Sequence, residues 1–134
     1  MSSSPTLDSL HLRWSDRPTD RPMDLLERQR VIGQQAMVSR VLLKKGCDIP
    51  THAHANEQIA MVVSGKVRFG LGAEGSSERR DVIVGAEEVM YLPSNLPHSC
   101  YAIEDTLIFD IFSPPSQTTG IDRSPVQGTE KRAH

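Results

Sequence analysis

Cysteine is scarce in this chain. Cys47 and Cys100 are the two present in 134 residues, too few for the disulfide framework that holds small secreted domains together. Charge of one sign is missing as well: 15 Lys and Arg against 17 Asp and Glu leave a formal net charge of -2. With no basic stripe carrying interleaved aromatics, there is no electrostatic reason to expect nucleic acid as a partner. Long hydrophobic runs are absent, none approaching the roughly 18 residues that span a bilayer, so no membrane partner is expected. The N-terminal MSSSPTLDSLHLRW lacks the charged-then-apolar layout of a secretory signal. These absences lead us to expect a cytoplasmic location.

Sustained helical periodicity is also lacking. One stretch, MDLLERQRVI (23–32), is open to reading as a helical turn feeding a strand. Elsewhere 9 prolines and 9 glycines cut the chain into runs of four to nine residues rich in β-branched and aromatic side chains. These runs are AMVSRVLLK, QIAMVVS, KVRFGLG, DVIV, VMYLP, HSCYAI and TLIFDIF. Short strands separated by turn signals at regular spacing indicate an all-β sandwich or barrel. A chain of this length makes one domain. We expect a short N-terminal extension over 1–22, the domain over 23–115 and a flexible tail over 116–134, the last from its polar, proline-rich composition.

Within this frame THAHANEQIAMVVSG (51–65) is anomalous, because polar side chains open an otherwise apolar strand. Burying such groups unpaired costs roughly 2–7 kcal/mol each, depending on the reference state. Alternate strand residues share a face. A continuous strand would therefore align His52, His54 and Gln58 with Ala60 and Val62 and turn Glu57 away, unless a bulge reversed the parity. Forty residues on, His98 follows a turn braced by Pro93 and Pro97. Imidazoles and an amide on inward-facing positions suit one borderline divalent metal such as Fe, Mn, Ni or Zn. Three or four polar groups converging in a core without a ligand would be costly.

The spacing resembles the first motif of the cupin superfamily, G-x5-H-x-H-x3,4-E-x6-G, here Gly46, His52, His54, Gln58 and Gly65. The second motif, G-x5-P-x-G-x2-H-x3-N, is matched more loosely by Gly85, Pro93, Asn95 and His98. Gly85 and Pro93 are more widely spaced than in the motif, and Ala102 stands where Asn is usual. The resemblance implies a double-stranded β-helix, a jelly-roll barrel, holding one divalent metal ion per chain through His52, His54, Gln58 and His98. It also implies a homodimer, in keeping with the apolar outward face Ile59, Met61 and Val63. An amide in place of the usual Glu leaves a divalent site at +2 rather than +1, which favours polarising a substrate oxygen over oxidising Fe(II).

Local phrasing is similar to the pectin-degradation cupins of the KdgF type, in HAHANEQIAMVVSGKVRF, LPSNLPHS and LIFDIFSPP. In that group the last core strand reads D-x-F-S-P-P-R. The resemblance implies active-site roles for Asp110 and Phe112, whereas the arginine position is Ser116. An arginine fork is the natural clamp for a uronate, with Arg40 or Arg123 as candidate substitutes. The HxHxxxQ…H set also resembles the bacilysin-pathway cupins, which move a double bond in a prephenate-derived acid. The expected activity is thus metal-assisted isomerisation or tautomerisation of a small unsaturated or sugar-derived acid, with Asp110 as general acid/base. The alternatives are a non-catalytic metal- or ligand-sensing cupin and, less favoured, an Fe(II) dioxygenase. Cys100, in phase with His98, reads as a small buried hydrophobe rather than a further ligand.

Overall fold

The computed structural model describes residues 6–116. A four-residue helix, α1 (Leu7–Leu10), and a 3-10 turn (Trp14–Asp16) precede ten strands. These are β1 (Asp20–Met23), β2 (Leu26–Ile32), β3 (Met37–Leu43), β4 (Asp48–His52), β5 (Glu57–Ser64), β6 (Lys66–Leu71), β7 (Arg80–Gly85), β8 (Val89–Leu92), β9 (His98–Ala102) and β10 (Thr106–Ser113). They form two antiparallel sheets, one ordered β1-β2-β3-β10-β5-β8 and the other β4-β9-β6-β7. From β3 onward the chain changes sheet at every connection except β6–β7. That path winds a jelly roll. The all-β reading therefore holds.

Alternation builds the core. On β3 Met37, Ser39, Val41 and Leu43 face inward, and on β10 Thr106, Ile108 and Phe112 do the same. Facing them from the smaller sheet are Val67, Phe69, Cys100 and Ala102. Sheets covered on their inner faces in this way derive most of their stability from that apolar area.

Two expectations are corrected. MDLLERQRVI holds no helix. Met23 pairs with Leu26 across a hairpin whose turn residue Leu25 takes φ +68°, and Leu26 and Arg28 alternate with Glu27 and Gln29 in burial. Period-two burial against β3 decides the element. The segment 51–65 is likewise not one strand. It breaks after His52 into an irregular turn at 53–56, placing β4 in the smaller sheet and β5 in the larger. Strand β1 straddles the expected boundary at residue 22. Of the tail, 117–134 lies outside the described residues, as does Arg123.

The two motif glycines have separate reasons to exist. Both take positive φ, Gly46 at +92° and Gly65 at +95°. A Cβ on Gly46 would meet nothing, whereas one on Gly65 would collide with the Asp105 carbonyl and lie 2.7 Å from Thr106 Cα. Gly65 lets β5 pass into β6 directly against the β9–β10 turn.

Candidate metal centre

His52 ends β4 and His98 begins β9, and they face each other in register. His54 sits on the 53–56 turn, which is tethered to the Pro93–Pro97 turn. The Asn95 amide donates to the His54 carbonyl at 2.8 Å and the Ser94 hydroxyl to the Ala55 carbonyl at 2.6 Å. The two motif loops thus hold one another, and their histidines converge. Ring centroids lie 4.5 Å apart for His52 and His98, 5.0 Å for His54 and His98 and 5.5 Å for His52 and His54.

Each ring is anchored in the same way. His52 Nδ1 lies 2.9 Å from the Pro50 carbonyl, His54 Nδ1 3.0 Å from that of Asn56, and His98 Nδ1 2.8 Å from that of Leu96. A carbonyl only accepts, so each Nδ1 carries a proton, and in the neutral ring the lone pair is then on Nε2. The structure brings candidate ligand atoms of the three residues within 4.8 Å of one another. Nitrogens about 2.1 Å from a shared ion are at most about 4.2 Å apart, so a small inward rotation suffices. His54 Nε2 is buried and has no hydrogen-bond partner among the described residues. Burial holds His98 below the ordinary imidazole range; its bond to Leu96 opposes this, and nearby His54 reinforces it. Neutral imidazoles anchored through Nδ1 are the form in which histidine binds metal. The cluster fits a cation.

Gln58 reaches the same cavity from β5. It is buried, while Glu57 is exposed and accepts a hydrogen bond from the Tyr91 hydroxyl at 2.8 Å. Parity from Ala60 back to Gln58, rather than from His54 forward, accounts for this. Gln58 Nε2 donates to Asp110 Oδ1 at 2.9 Å, which leaves Oε1 as the amide's acceptor end. Asp110 lines the cavity beside it. Enclosure raises its carboxyl to about 6, and the Gln58 bond opposes that rise. Phe112, also in the wall, stacks edge-on against His54 with centroids 5.7 Å apart. Cys100 is buried in the wall, its thiol driven far up by burial. That suits a hydrophobe, since a thiolate is the ligand form.

Arg40, a candidate for the expected carboxylate clamp, is turned away from the cavity, because it lies on the outward parity of β3 and donates to Gln29 Oε1. Two cavity residues escaped sequence reasoning. Arg28, 2% exposed, and Ser39, 1% exposed, line the cavity from β2 and β3. The signal for Arg28 was its parity with Leu26, legible only once 26–32 is read as a strand.

A family model described as "Cupin domain" matches residues 39–112, more than half of the chain. The chain belongs to the cupin family. Among solved structures this cupin is similar to a single-site variant of oxalate decarboxylase from Bacillus subtilis, at 21% identity and a TM-score of 0.72, over 83% of this chain and 31% of that one. The chain thus spans about a third of that enzyme's length. Another structure of the same enzyme, with equal score and identity, is described for its Mn(II) centres. An RmlC-like cupin of Shewanella frigidimarina is similar at 19% identity and a TM-score of 0.68, over 77% of this chain and 88% of that one. These likenesses establish the fold alone. No curated protein matches the sequence. No helix among the described residues is long and apolar enough to cross a membrane.

Proposed function

We propose that this cupin holds one divalent cation per chain through His52, His54, His98 and Gln58, and that it moves a proton within a small unsaturated or sugar-derived acid. The reaction is an isomerisation or tautomerisation. One observation carries the reading: three imidazoles, each with its Nδ1 proton tied to a backbone carbonyl, converge at the cavity whose wall also holds the Asp110 carboxylate. The ligand set suits Fe, Mn, Ni or Zn. When bound, such an ion would polarise a substrate oxygen and stabilise the charge that develops on proton removal.

Asp110 supplies the base. With its carboxyl raised to about 6, it is mostly ionised near neutrality yet close enough to accept and return a proton, the condition for general acid–base work. It takes a proton from one carbon and delivers it to another as the double bond moves, with no net gain or loss of electrons. Gln58 steadies the carboxylate through its amide N–H. Phe112 holds His54 in place and closes the wall against water.

The reading extends to a cytoplasmic homodimer. On the outer face of the larger sheet, Val89 and Tyr91 are exposed beside Met61 and Ile59 of β5, an apolar surface that a second copy would cover.

The test is to load purified protein with each metal in turn and follow the ultraviolet absorbance of unsaturated uronates and prephenate-like acids. Loss of absorbance with a stoichiometric metal supports the proposal. Metal retention with no acid consumed would replace it with a sensing cupin, and oxygen uptake with Fe(II) would replace it with a dioxygenase.

A further inference from the structure

On the outer face of the smaller sheet, behind the histidine cluster, one side chain joins three elements. Arg79 leaves the β6–β7 connection and reaches back across β6 to β9 and β4. Its largely buried guanidinium donates through Nη1 to the Thr51 hydroxyl at 2.9 Å and to the Gly72 carbonyl at 2.7 Å. Nη2 donates to the Ser99 hydroxyl at 2.9 Å. Glu74 supplies the counter-charge, 3.5 Å from Nη2, and accepts from the Thr51 hydroxyl at 2.6 Å.

The two hydroxyls mark the backbone beside two proposed ligands. Thr51 immediately precedes His52, and Ser99 immediately follows His98. Ser99 alternates with His98 and Cys100, which are buried and line the cavity, so it faces the other way. Arg79 thus ties the neighbours of His52 and His98 together from the side of the sheet opposite the cavity.

The chain makes room for this reach. Gly70 lies inside β6, in register with Ser99, without the positive φ of Gly46 or Gly65. A glycine inside a strand marks a place where another group comes close. Here a Cβ would collide with Arg79 Nη2 and lie 2.6 Å from Ser99 Oγ. Gly70 is the gap through which the guanidinium reaches β9.

The tie also falls where the sheet is weakest. Strand β4 is an edge strand bonded to β9 alone in its sheet, and its register slips between Ile49 and His52. An interrupted ladder leaves the end of β4, and His52 with it, less firmly set by the backbone. Side chains that share an ion must be held to within about 0.5 Å, and the groups behind metal-ligating histidines set affinity nearly as much as the ligands do. A planar guanidinium with donors in fixed directions supplies that spacing. The β6–β7 loop itself uses the Gly72 bond, whereas the bonds to Thr51 and Ser99 serve the strands that carry the histidines.

We infer that Arg79 is a positioning residue of the metal centre, fixing the spacing of His52 and His98 from the outer face of the sheet. This rests on the proposed function only in taking the histidines as ligands of one ion.

The test measures Zn(II) affinity by chelator competition and ligand geometry by the visible spectrum of the Co(II)-loaded protein, at a temperature where circular dichroism shows parent and variants folded. Arg79→Gln should weaken Zn(II) by about 10- to 100-fold and shift the Co(II) bands, and Arg79→Lys should recover part of the loss. Thr51→Val and Ser99→Ala should each weaken Zn(II) by about fivefold. In the Arg79→Gln background neither should have a further effect, because the tie is already gone. If Arg79→Gln does not fold, Thr51→Val and Ser99→Ala decide by the same two readouts. Variants that melt earlier but keep the parent's Zn(II) affinity and Co(II) spectrum would overturn the inference, as would losses that simply add in the double variants. A parent that takes up neither ion would remove the metal-centred function and this inference with it. A parent that binds both, matched by every variant, would remove this inference alone.

Discussion

Gln58 donates its amide N–H to Asp110 across β5 and β10, at 2.9 Å. The bond survives if the acid becomes an amide, because an Asn Oδ1 still accepts it. Asp110→Asn should therefore keep the metal content unchanged while turnover falls by about 10²- to 10⁴-fold, the usual range for removing a general base. Elemental analysis and a rate measurement on the same preparation check both halves. A rate close to that of the parent would take Asp110 out of the mechanism.

His54 Nε2 is buried without a partner among the described residues, so it burdens the protein when no cation is present. His54→Ala should lower bound metal well below one ion per chain. It should also change the stability of the chelated protein by no more than about 1–2 kcal/mol, the lost ring packing being offset by removal of the unpaired nitrogen. Metal at a hundredfold excess over its Kd should stabilise the parent by about 2.7 kcal/mol, and the variant hardly at all. Thermal melts with and without chelator measure it.

Gly65 and Gly46 share a positive φ but differ in their surroundings. Gly46→Ala should cost about 1–2 kcal/mol, the backbone penalty alone. Gly65→Ala adds a clash with Asp105 and Thr106 and should cost about 2–5 kcal/mol in total. Urea denaturation of the pair tests the ordering, and equal losses would refute it.

Burial would raise the Asp20 carboxyl, but the hydrogen bond and charge of Arg28, helped by Arg30, outweigh it and hold Asp20 below its ordinary 3.8. A lowered folded-state value contributes stability above the unfolded value, and that stability is lost as pH falls through the folded one. Stability should therefore drop below about pH 4. In Asp20→Asn that component of the drop should vanish, at the expense of a lower stability at pH 7 where Arg28 loses its counter-charge. Denaturation midpoints between pH 3 and pH 7 give the comparison.

On the outer sheet face Val89 is 58% exposed and paired with Met61, and Tyr91 is 54% exposed and paired with Ile59. If a second copy covers this surface, Val89→Arg should shift sedimentation from dimer to monomer with little change in the monomer's fold. A parent protein that sediments as a monomer at micromolar concentration would dispose of the dimer.

Much of the fold was legible because strand runs in this chain are short and their inward parity is kept. On β10, Thr106, Ile108 and Phe112 are buried and Leu107, Phe109 and Ile111 less so, as alternation from the sequence requires. MDLLERQRVI misled because its apolar residues cluster near a hairpin turn, and a short cluster fits either period. Gln58 was correctly set inward on an incomplete premise. The chain leaves the strand at residues 53–56, and parity within β5 alone carries the result.

The sequence by itself determined the residue types that gather here and the faces they take, because alternation and glycine-framed spacing are properties of neighbours along the chain. What only the tertiary structure decided is convergence. Arg28, Ser39, His52, Gln58, His98 and Asp110 come from six different strands in two sheets, and no spacing along the chain measures the distance between two sheets. The same holds for the proton on each imidazole. It is set by a backbone carbonyl two residues away, that of Pro50, Asn56 or Leu96, which the ring meets only in the folded backbone of its strand end or turn.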